Sequence, residues 1–370
     1  MFIPVNEPLL SEEAKTNAKD AIDTGWISSS GKYVSEFEAD FARIYGVKHA
    51  ITVANGTAAL HVGLLALDIG PGDEVIVPAF TMAASWLAVL YTGATPIFVD
   101  CELDTYNIDI SKIEAKISSR TKAIMPVHIY GHPCQMDEIA AIAKKHDLLI
   151  IEDAAEAHGA LYRGKLAGTF GKIGCFSFYG NKIITTGEGG MIITDDDSIA
   201  ERCRRFKDLH HSATRFIHDG IGYNYRMTNM QAAIGCGELG HLEEYVQKKE
   251  WMAARYTELL GTVDGIQLPK TLSNVRNVYW MYAILVDERL FGVGKNTLRA
   301  ELKEAGIDTR DFFYSPVAQP VLKGILKGEE FPNTEYIAQR GLYLPSGLSI
   351  TEEQIQYICK NIELIHRLAK

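Results

Sequence analysis

The run TKAIMPVHIYGHPCQMDEIAAIAKKHDLLIIEDAA, residues 121–155, decides the architecture of the chain. Its two ends, 121–131 and 147–155, are short, apolar and β-rich, as buried strands are. Between them DEIAAIAKKH (137–146) has apolar residues at helical spacing, and Asp137 is placed to cap it. A strand, a helix and a second strand in this order make a βαβ unit. DEVIVPAF (73–80) and GATPIFVD (93–100) extend the series upstream. The expected fold class is α/β, a mostly parallel sheet sandwiched by helices. Ligands of such sheets collect beyond the carboxyl ends of the strands, so the residues just after each run are the candidates for chemistry.

Downstream the pattern changes. FSFYGNKIITTGEGGMIITDD (176–196) reads as two β-rich segments around TTGEGG, which suggests a hairpin or tight turn. From Thr228, a plausible cap, a long amphipathic helical stretch runs to about 260. Segments 277–287, 297–307 and 351–368 then read strand, helix, helix. The expected division is a large domain at 1–245 and a smaller C-terminal α+β domain at 246–370.

The bulk composition narrows the function. The chain has 370 residues, 47% hydrophobic and 23% charged, enough for a sizeable core. No apolar run approaches the roughly 20 residues that span a bilayer. The N-terminus lacks the basic-then-apolar order of a signal peptide, so a cytoplasmic location and no membrane partner are expected. Formal net charge is −10 and the densest basic cluster is ERCRRFK (201–207), which argues against nucleic acid as a partner. The six cysteines, at 101, 134, 175, 203, 236 and 359, form no CxxC and lie partly in apolar runs. Buried reduced thiols are expected, with no metal and no disulfide.

Three segments carry candidate chemistry. VANGTAALHVGLLAL (53–67) opens a helix at Asn55-Gly56-Thr57, where free N–H groups, the helix dipole and the Thr57 hydroxyl make a phosphate site. Taken alone, such a turn is more often an ordinary capped helix start. No G-x-x-x-x-G-K-[ST] is present, which disfavours an ATP-binding loop. In LLIIEDAAEAHGA (148–160), Asp153 ends an apolar strand, with Glu156 and His158 in the turn after it. A strand-end aspartate equally serves as a helix cap or as a ligand for Mg²⁺ or ribose. Lys182 stands among apolar residues in the third segment, and a partly desolvated lysine becomes a nucleophile or base. A surface lysine on a hairpin is the bland alternative. Ser177 is a further donor for a phosphate.

Together the three match one cofactor. Pyridoxal 5'-phosphate needs an anion site for its phosphate, a carboxylate for its pyridine nitrogen and a lysine for its aldehyde. No other common cofactor uses all three.

The motifs TGWISSSGKYVSEFE (24–38), NGTAAL (55–60), GDEVIVPAFT (72–81), IEDAAEAHGA (151–160), FSFYGNKIITTGEGGM (176–191) and GYNYRMTNMQAAIG (222–235) resemble, in order and over the whole chain, the fold-type I sugar-nucleotide aminotransferases of the DegT family. Members that aminate C4 of GDP-4-keto-6-deoxymannose are the most similar. The resemblance implies that Lys182 bonds the cofactor and shuttles the proton, and that Asp153 pairs with the pyridine nitrogen. It places Glu156 near the phenolic oxygen and Gly56, Thr57, Ala58 and Ser177 at the phosphate. It implies a homodimer with shared active sites, in which Asn224 reaches the phosphate bound by the other subunit. Trp26, Ser28 and Ser29 fall where the family lines its sugar pocket, and Arg310 matches a motif arginine at the edge of the site. Glutamate is the implied amino donor, with pyridoxamine phosphate between the two half-reactions. Members with histidine at the lysine position dehydrate the sugar instead, so Lys182 favours transamination.

Two positions depart from the pattern. Met82 stands where relatives often stack an aromatic ring on the cofactor, a face that a thioether can also cover. Val317, in TRDFFYSPVAQPVL (309–322), stands where the most similar members typically carry histidine, which bears on the choice of sugar. LHHSATRFIHDG (209–220), with three histidines and Arg215, is a candidate pyrophosphate contact or simply a solvated loop.

Overall fold

The computed structural model describes residues 2–214, 216–326 and 328–370. After helices α1 (Glu12–Asp23) and α2 (Lys32–Tyr45), the chain alternates β1 (His49–Val53), α3 (Gly56–Ala66), β2 (Glu74–Pro78), α4 (Ala83–Tyr91), β3 (Thr95–Val99), β4 (Thr121–Ile124), α5 (Met136–Lys145) and β5 (Leu149–Asp153). Two short strands follow, β6 (Leu161–Tyr162) and β7 (Lys165–Leu166), then β8 (Ile173–Ser177) and β9 (Gly190–Thr194).

The main sheet has the order β1-β9-β8-β5-β4-β2-β3. β5 pairs in parallel with β4 and β8, and β2 pairs in parallel with β3 and β4. Only β9 runs against the rest, pairing antiparallel with both β1 and β8. The strands are apolar on both faces because helices cover both. Ile151, Ile173, Cys175 and Ile192 pack toward α3 and α6 (Asp197–Lys207). Alternate residues Phe176, Met191 and Ile193 pack toward Phe37 and Phe41 of α2. All six cysteines are free and five are buried.

Register brings the candidate residues to one end of this sheet. Ser177 lies opposite Gly190, which lies opposite Val53, and Asp153 pairs with Cys175 two residues earlier on β8. The carboxyl ends of β1, β5 and β8 therefore converge, and α3 begins three residues beyond Val53. Gly190 permits the approach, since a Cβ there would come within 2.5 Å of the Asn55 carbonyl oxygen.

The chain continues with α7 (Asn229–Leu239), which packs into the core around α2, and α8 (Leu242–Leu260), followed by β10 (Ile266–Gln267), β11 (Val275–Arg276), β12 (Tyr282–Val286), α9 (Glu288–Phe291), α10 (Lys295–Glu304), β13 (Arg310–Asp311), α11 (Pro332–Arg340), β14 (Gly341–Leu344) and α12 (Glu352–Ala369). A second, antiparallel sheet has the order β10-β12-β14-β13. Its core joins Tyr256 of α8, Leu298 of α10 and Ile355 of α12, together with Ile3 from the other end of the chain. No helix among the described residues is long and apolar enough to cross a membrane.

Three local expectations are corrected. Asp137 does not cap α5: Gln135 holds the cap position without a side-chain bond, and Asp137 faces Arg163 at 2.9 Å. The stretch from 228 is two helices interrupted at Gly240, although Thr228 does form a capping box with Gln231. β8 and β9 are antiparallel partners, but residues 178–189 join them as an irregular loop, so no tight hairpin turn forms. Lys182 lies in that loop.

Candidate active site

A cavity of about 600 Å³ opens at the convergence of β1, β5 and β8. At one end is the start of α3. Asn55 is its cap, accepting from the Ala58 N–H at 2.8 Å, so the Thr57 hydroxyl is not used as one. The first-turn N–H groups of Gly56 and Thr57 have no acceptor within the helix, and both residues line the cavity. Gly56 is pressed against β8: a Cβ on it would lie 2.7 Å from the Ser177 Cβ. That contact brings Ser177 beside the helix N-terminus, where the dipole favours an anion.

Asp153 is buried at the end of β5. Ser85 Oγ donates to its Oδ2 at 2.7 Å and the Ala155 N–H to its Oδ1 at 3.2 Å. Thr81 and Ser85 share a hydroxyl hydrogen bond at 2.8 Å. Burial pushes the Asp153 pKa up, against the downward pull of Ser85, Ala155, Lys182 and His128. A carboxylate so placed gains by facing a cation.

Glu156, also buried, accepts the Tyr130 N–H at 2.7 Å. Tyr130 has φ 53° and ψ 18°, in the left-handed region that costs a non-glycine residue about 1 kcal/mol. The next residue, Gly131 at φ 96°, has no room for a Cβ against Val278. This turn fixes the direction of the N–H toward Glu156. Burial raises the Glu156 pKa, with Lys182 opposing, and burial lowers that of Lys182, with Glu156 and then Asp153 opposing. The lysine is held by the turn from its N–H to the Tyr179 carbonyl at 2.9 Å. Its Nζ lies 3.7 Å from the centre of the Trp280 ring. Trp280, Phe313 and Tyr343 close the cavity from the C-terminal side.

The cavity thus gathers Gly56, Thr57, Ala58, Met82, Asp153, Glu156, Ser177 and Lys182. Met82 is half exposed at the start of α4, its sulfur accepting the Ala84 N–H at 3.0 Å. The remaining candidates lie outside it. Asn224 Oδ1 accepts from Arg226 Nη2 at 2.9 Å. Trp26 lines a separate cavity with Asp20, Lys32 and Asn229, and Ser28 and Ser29 follow it on an outer loop. Arg310 is exposed on β13 beside Asp308. Val317 is exposed on a short 3₁₀ turn capped by Ser315. In 209–220, His210 bonds Asp219 at 2.8 Å and the rings of His211 and His218 meet at a tilt, 4.4 Å between centroids, while Arg215 lies outside the described residues.

Sequence reading missed Ser85, Tyr130, Trp280, Phe313 and Tyr343. Ser85 sits in an apolar helix whose pattern marks packing only. The aromatic residues come from segments legible as strand or loop, with nothing local to say what they face.

The donor set fits pyridoxal phosphate: a helix start with the Gly56 and Thr57 N–H groups left free beside adjacent hydroxyls for the phosphate, a buried carboxylate anchored by Ser85 for the ring nitrogen, and an amine of lowered pKa between them. Comparison with known proteins agrees. The chain is 45% identical over 365 residues to GDP-perosamine synthase of Escherichia coli O157:H7, covering 98% of each. It is 41% identical over 322 residues to a UDP-N-acetyl-3-dehydro-alpha-D-glucosamine 3-aminotransferase of Acidithiobacillus ferrooxidans, covering 87% of this chain and 85% of that one. The solved structure of S. venezuelae DesV in complex with a ketimine intermediate superposes with a TM-score of 0.89 at 36% identity, over 97% of this chain and 94% of that one. The DegT/DnrJ/EryC1/StrS aminotransferase family matches residues 8–363. The protein is an enzyme whose cofactor is pyridoxal phosphate. With the fold, the cavity and the sequence in agreement along nearly its full length, the chain belongs to the DegT/DnrJ/EryC1/StrS aminotransferase family.

Proposed function

We propose that the chain transfers the amino group of glutamate to C4 of a nucleotide-linked 4-keto-6-deoxyhexose, converting GDP-4-keto-6-deoxymannose to GDP-perosamine. The observation that carries the chemistry is the placing of Lys182, Asp153 and the α3 N-terminus around one cavity. The substrate follows from the likeness to the E. coli O157:H7 enzyme. A second reading, amination of a dTDP- or UDP-linked 3- or 4-keto sugar, is favoured by the 41% identity to the UDP-sugar 3-aminotransferase. Lys182 speaks against the sugar dehydratases that carry histidine there, and the full donor set against a non-catalytic homologue.

When bound, pyridoxal phosphate supplies an aldehyde carbon for the amine and a ring that accepts the electron pair left at the donor carbon. The first-turn N–H groups of α3 with Ser177 and Thr57 hold the phosphate. Asp153 keeps a proton on the ring nitrogen, and Ser85 and the Ala155 N–H keep Asp153 ionised for that task. Lys182 Nζ, its pKa lowered by burial, would move the proton from the α-carbon of glutamate to the former aldehyde carbon of the cofactor, and in the second half-reaction would move a proton from that carbon to the sugar C4. Trp280, Phe313 and Tyr343 exclude water above it. Trp26, Ser28, Ser29 and Arg310 contact the sugar nucleotide. Residues 1–245 bind the cofactor and residues 246–370 cover it. The working unit is a cytoplasmic homodimer in which Asn224 completes the phosphate site of its partner, and the product serves assembly of a surface polysaccharide such as O-antigen.

The visible spectrum of the purified protein tests this reading. Glutamate should bleach the yellow colour, and GDP-4-keto-6-deoxymannose should restore it. Bleaching without restoration rejects this sugar and sends the search to the dTDP- and UDP-linked ketones. A colour indifferent to glutamate rejects it as donor.

A further inference from the structure

Trp280 enters the active site from the segment before β12, and its three polar groups are tied to three different parts of the chain. Its backbone N–H donates to the Tyr130 carbonyl at 2.9 Å. Its own carbonyl accepts from Lys249 Nζ of α8 at 3.1 Å. Its indole Nε1 donates to the Asn181 carbonyl at 2.8 Å, one residue before Lys182. The ring is buried and cannot turn without breaking one of these bonds. Lys182 Nζ rests over it, 3.7 Å from the centroid, where the ring quadrupole attracts a cation.

Two buried carboxylates, Asp153 and Glu156, compete for the same amine. An ion pair with either would draw Lys182 off station, and a carboxylate can also take its proton. A π face can do neither. We propose that Trp280 is a positioning residue for Lys182, its indole face being the seat of the ε-nitrogen when the lysine is protonated and not bonded to the cofactor. The inference rests on the reading of Lys182 as the cofactor lysine. Seated there, the ammonium keeps the proton that it must later give up.

The charged and titratable groups facing Lys182 are Asp153 and Glu156 at the end of β5 and His158 in the same turn, with the phenols of Tyr130 and Tyr343 beyond Glu156. Burial holds His158 neutral, its pKa lowered to about 3. Replacing Trp280 removes none of these groups, so a change in Lys182 titration reports the ring.

The experiment is competitive acetylation of the apoprotein across pH, read at the Lys182 peptide by mass spectrometry, for wild type and for Trp280→Tyr, Trp280→Phe and Trp280→Leu. The aromatic variants should titrate close to wild type. The leucine variant should titrate lower by about one pH unit, since only the cation loses a favourable contact. Equal midpoints in all four proteins, or a higher midpoint with leucine, overturn the proposal. A phenylalanine variant that behaves like leucine assigns the effect to the lost bond to Asn181 and also overturns it. Thermal melts establish that each variant folds, and Trp280→Met replaces leucine where it does not. Borohydride reduction of the holoprotein separately identifies the lysine bonded to the cofactor. Label at another lysine ends the underlying reading, independently of the midpoints.

Discussion

Ser85 Oγ donates to Asp153 Oδ2 at 2.7 Å, linking the first turn of α4 to the end of β5. The bond favours the ionised carboxylate that burial opposes. Ser85→Ala removes a donor to the charged form, so the Asp153 pKa should rise. The carboxylate is then lost at higher pH as the solution is acidified. The acid limb of kcat/KM should move to higher pH, and turnover at neutral pH should fall roughly tenfold, the worth of a hydrogen bond to a charged group. An unmoved acid limb would separate Ser85 from the function of Asp153.

Gly56 has no space for a side chain. An alanine Cβ would sit 2.7 Å from the Ser177 Cβ, and relief requires α3 or β8 to shift. Both hold the expected phosphate site, so Gly56→Ala should weaken cofactor binding by roughly tenfold or more, in line with the cost of overpacking. Fluorescence titration of the apoprotein with pyridoxal phosphate measures it, and unchanged affinity would remove the phosphate from this end of the cavity.

Lys249 is fully buried on α8 with no carboxylate paired to it among the described residues, donating to the carbonyls of Trp280 and Ser346. A neutral amine has two N–H groups for those two acceptors. Burial lowers its pKa to about 7. Below that value both folded and unfolded chains carry the charge, and its burial cost is full. Between about 7 and the ordinary 10.5 the unfolded chain binds the proton and the folded chain does not, so stability rises with pH through that window. Urea midpoints of wild type and Lys249→Met, measured from pH 7 to 10, should diverge in favour of wild type as pH rises. Parallel curves would mean that Lys249 stays charged in the fold.

The proposed sharing of Asn224 between subunits predicts complementation. Lys182→Ala should lose turnover while retaining cofactor, and Asn224→Asp should bind the cofactor poorly by repelling its phosphate. Mixed dimers of the two carry one site free of both changes. Coexpression should therefore restore roughly a quarter of the wild-type sites if subunits pair at random. Activity no greater than the sum of the separate variants would assign Asn224 to its own subunit's site or to none.

Much of the site was legible in particular residues. Asp153 follows LIIE, and a polar residue ending an apolar strand marks the carboxyl end of the sheet, where ligands bind. The Asn55-Gly56-Thr57 turn opens a helix, and Lys182 is isolated among apolar neighbours. Each signal is local, so periodicity and turn chemistry suffice to find it. Helix ends were less secure. Asp137 has the composition of a cap, yet its carboxylate meets Arg163, more than twenty residues along the chain.

The sequence by itself determined the alternation of strands and helices and pointed to the cofactor and to Lys182 as its candidate amine, because these depend on spacing and side-chain type over a few residues. Only the tertiary structure decided what surrounds them. Ser85 reaches Asp153 across 68 positions, and Trp280 covers Lys182 from 98 positions downstream. Those contacts exist because the register of β1, β8 and β9 and the docking of the second sheet bring distant segments to one cavity. Burial there shifts Lys182, Glu156 and Asp153 together, and no window of sequence contains that environment.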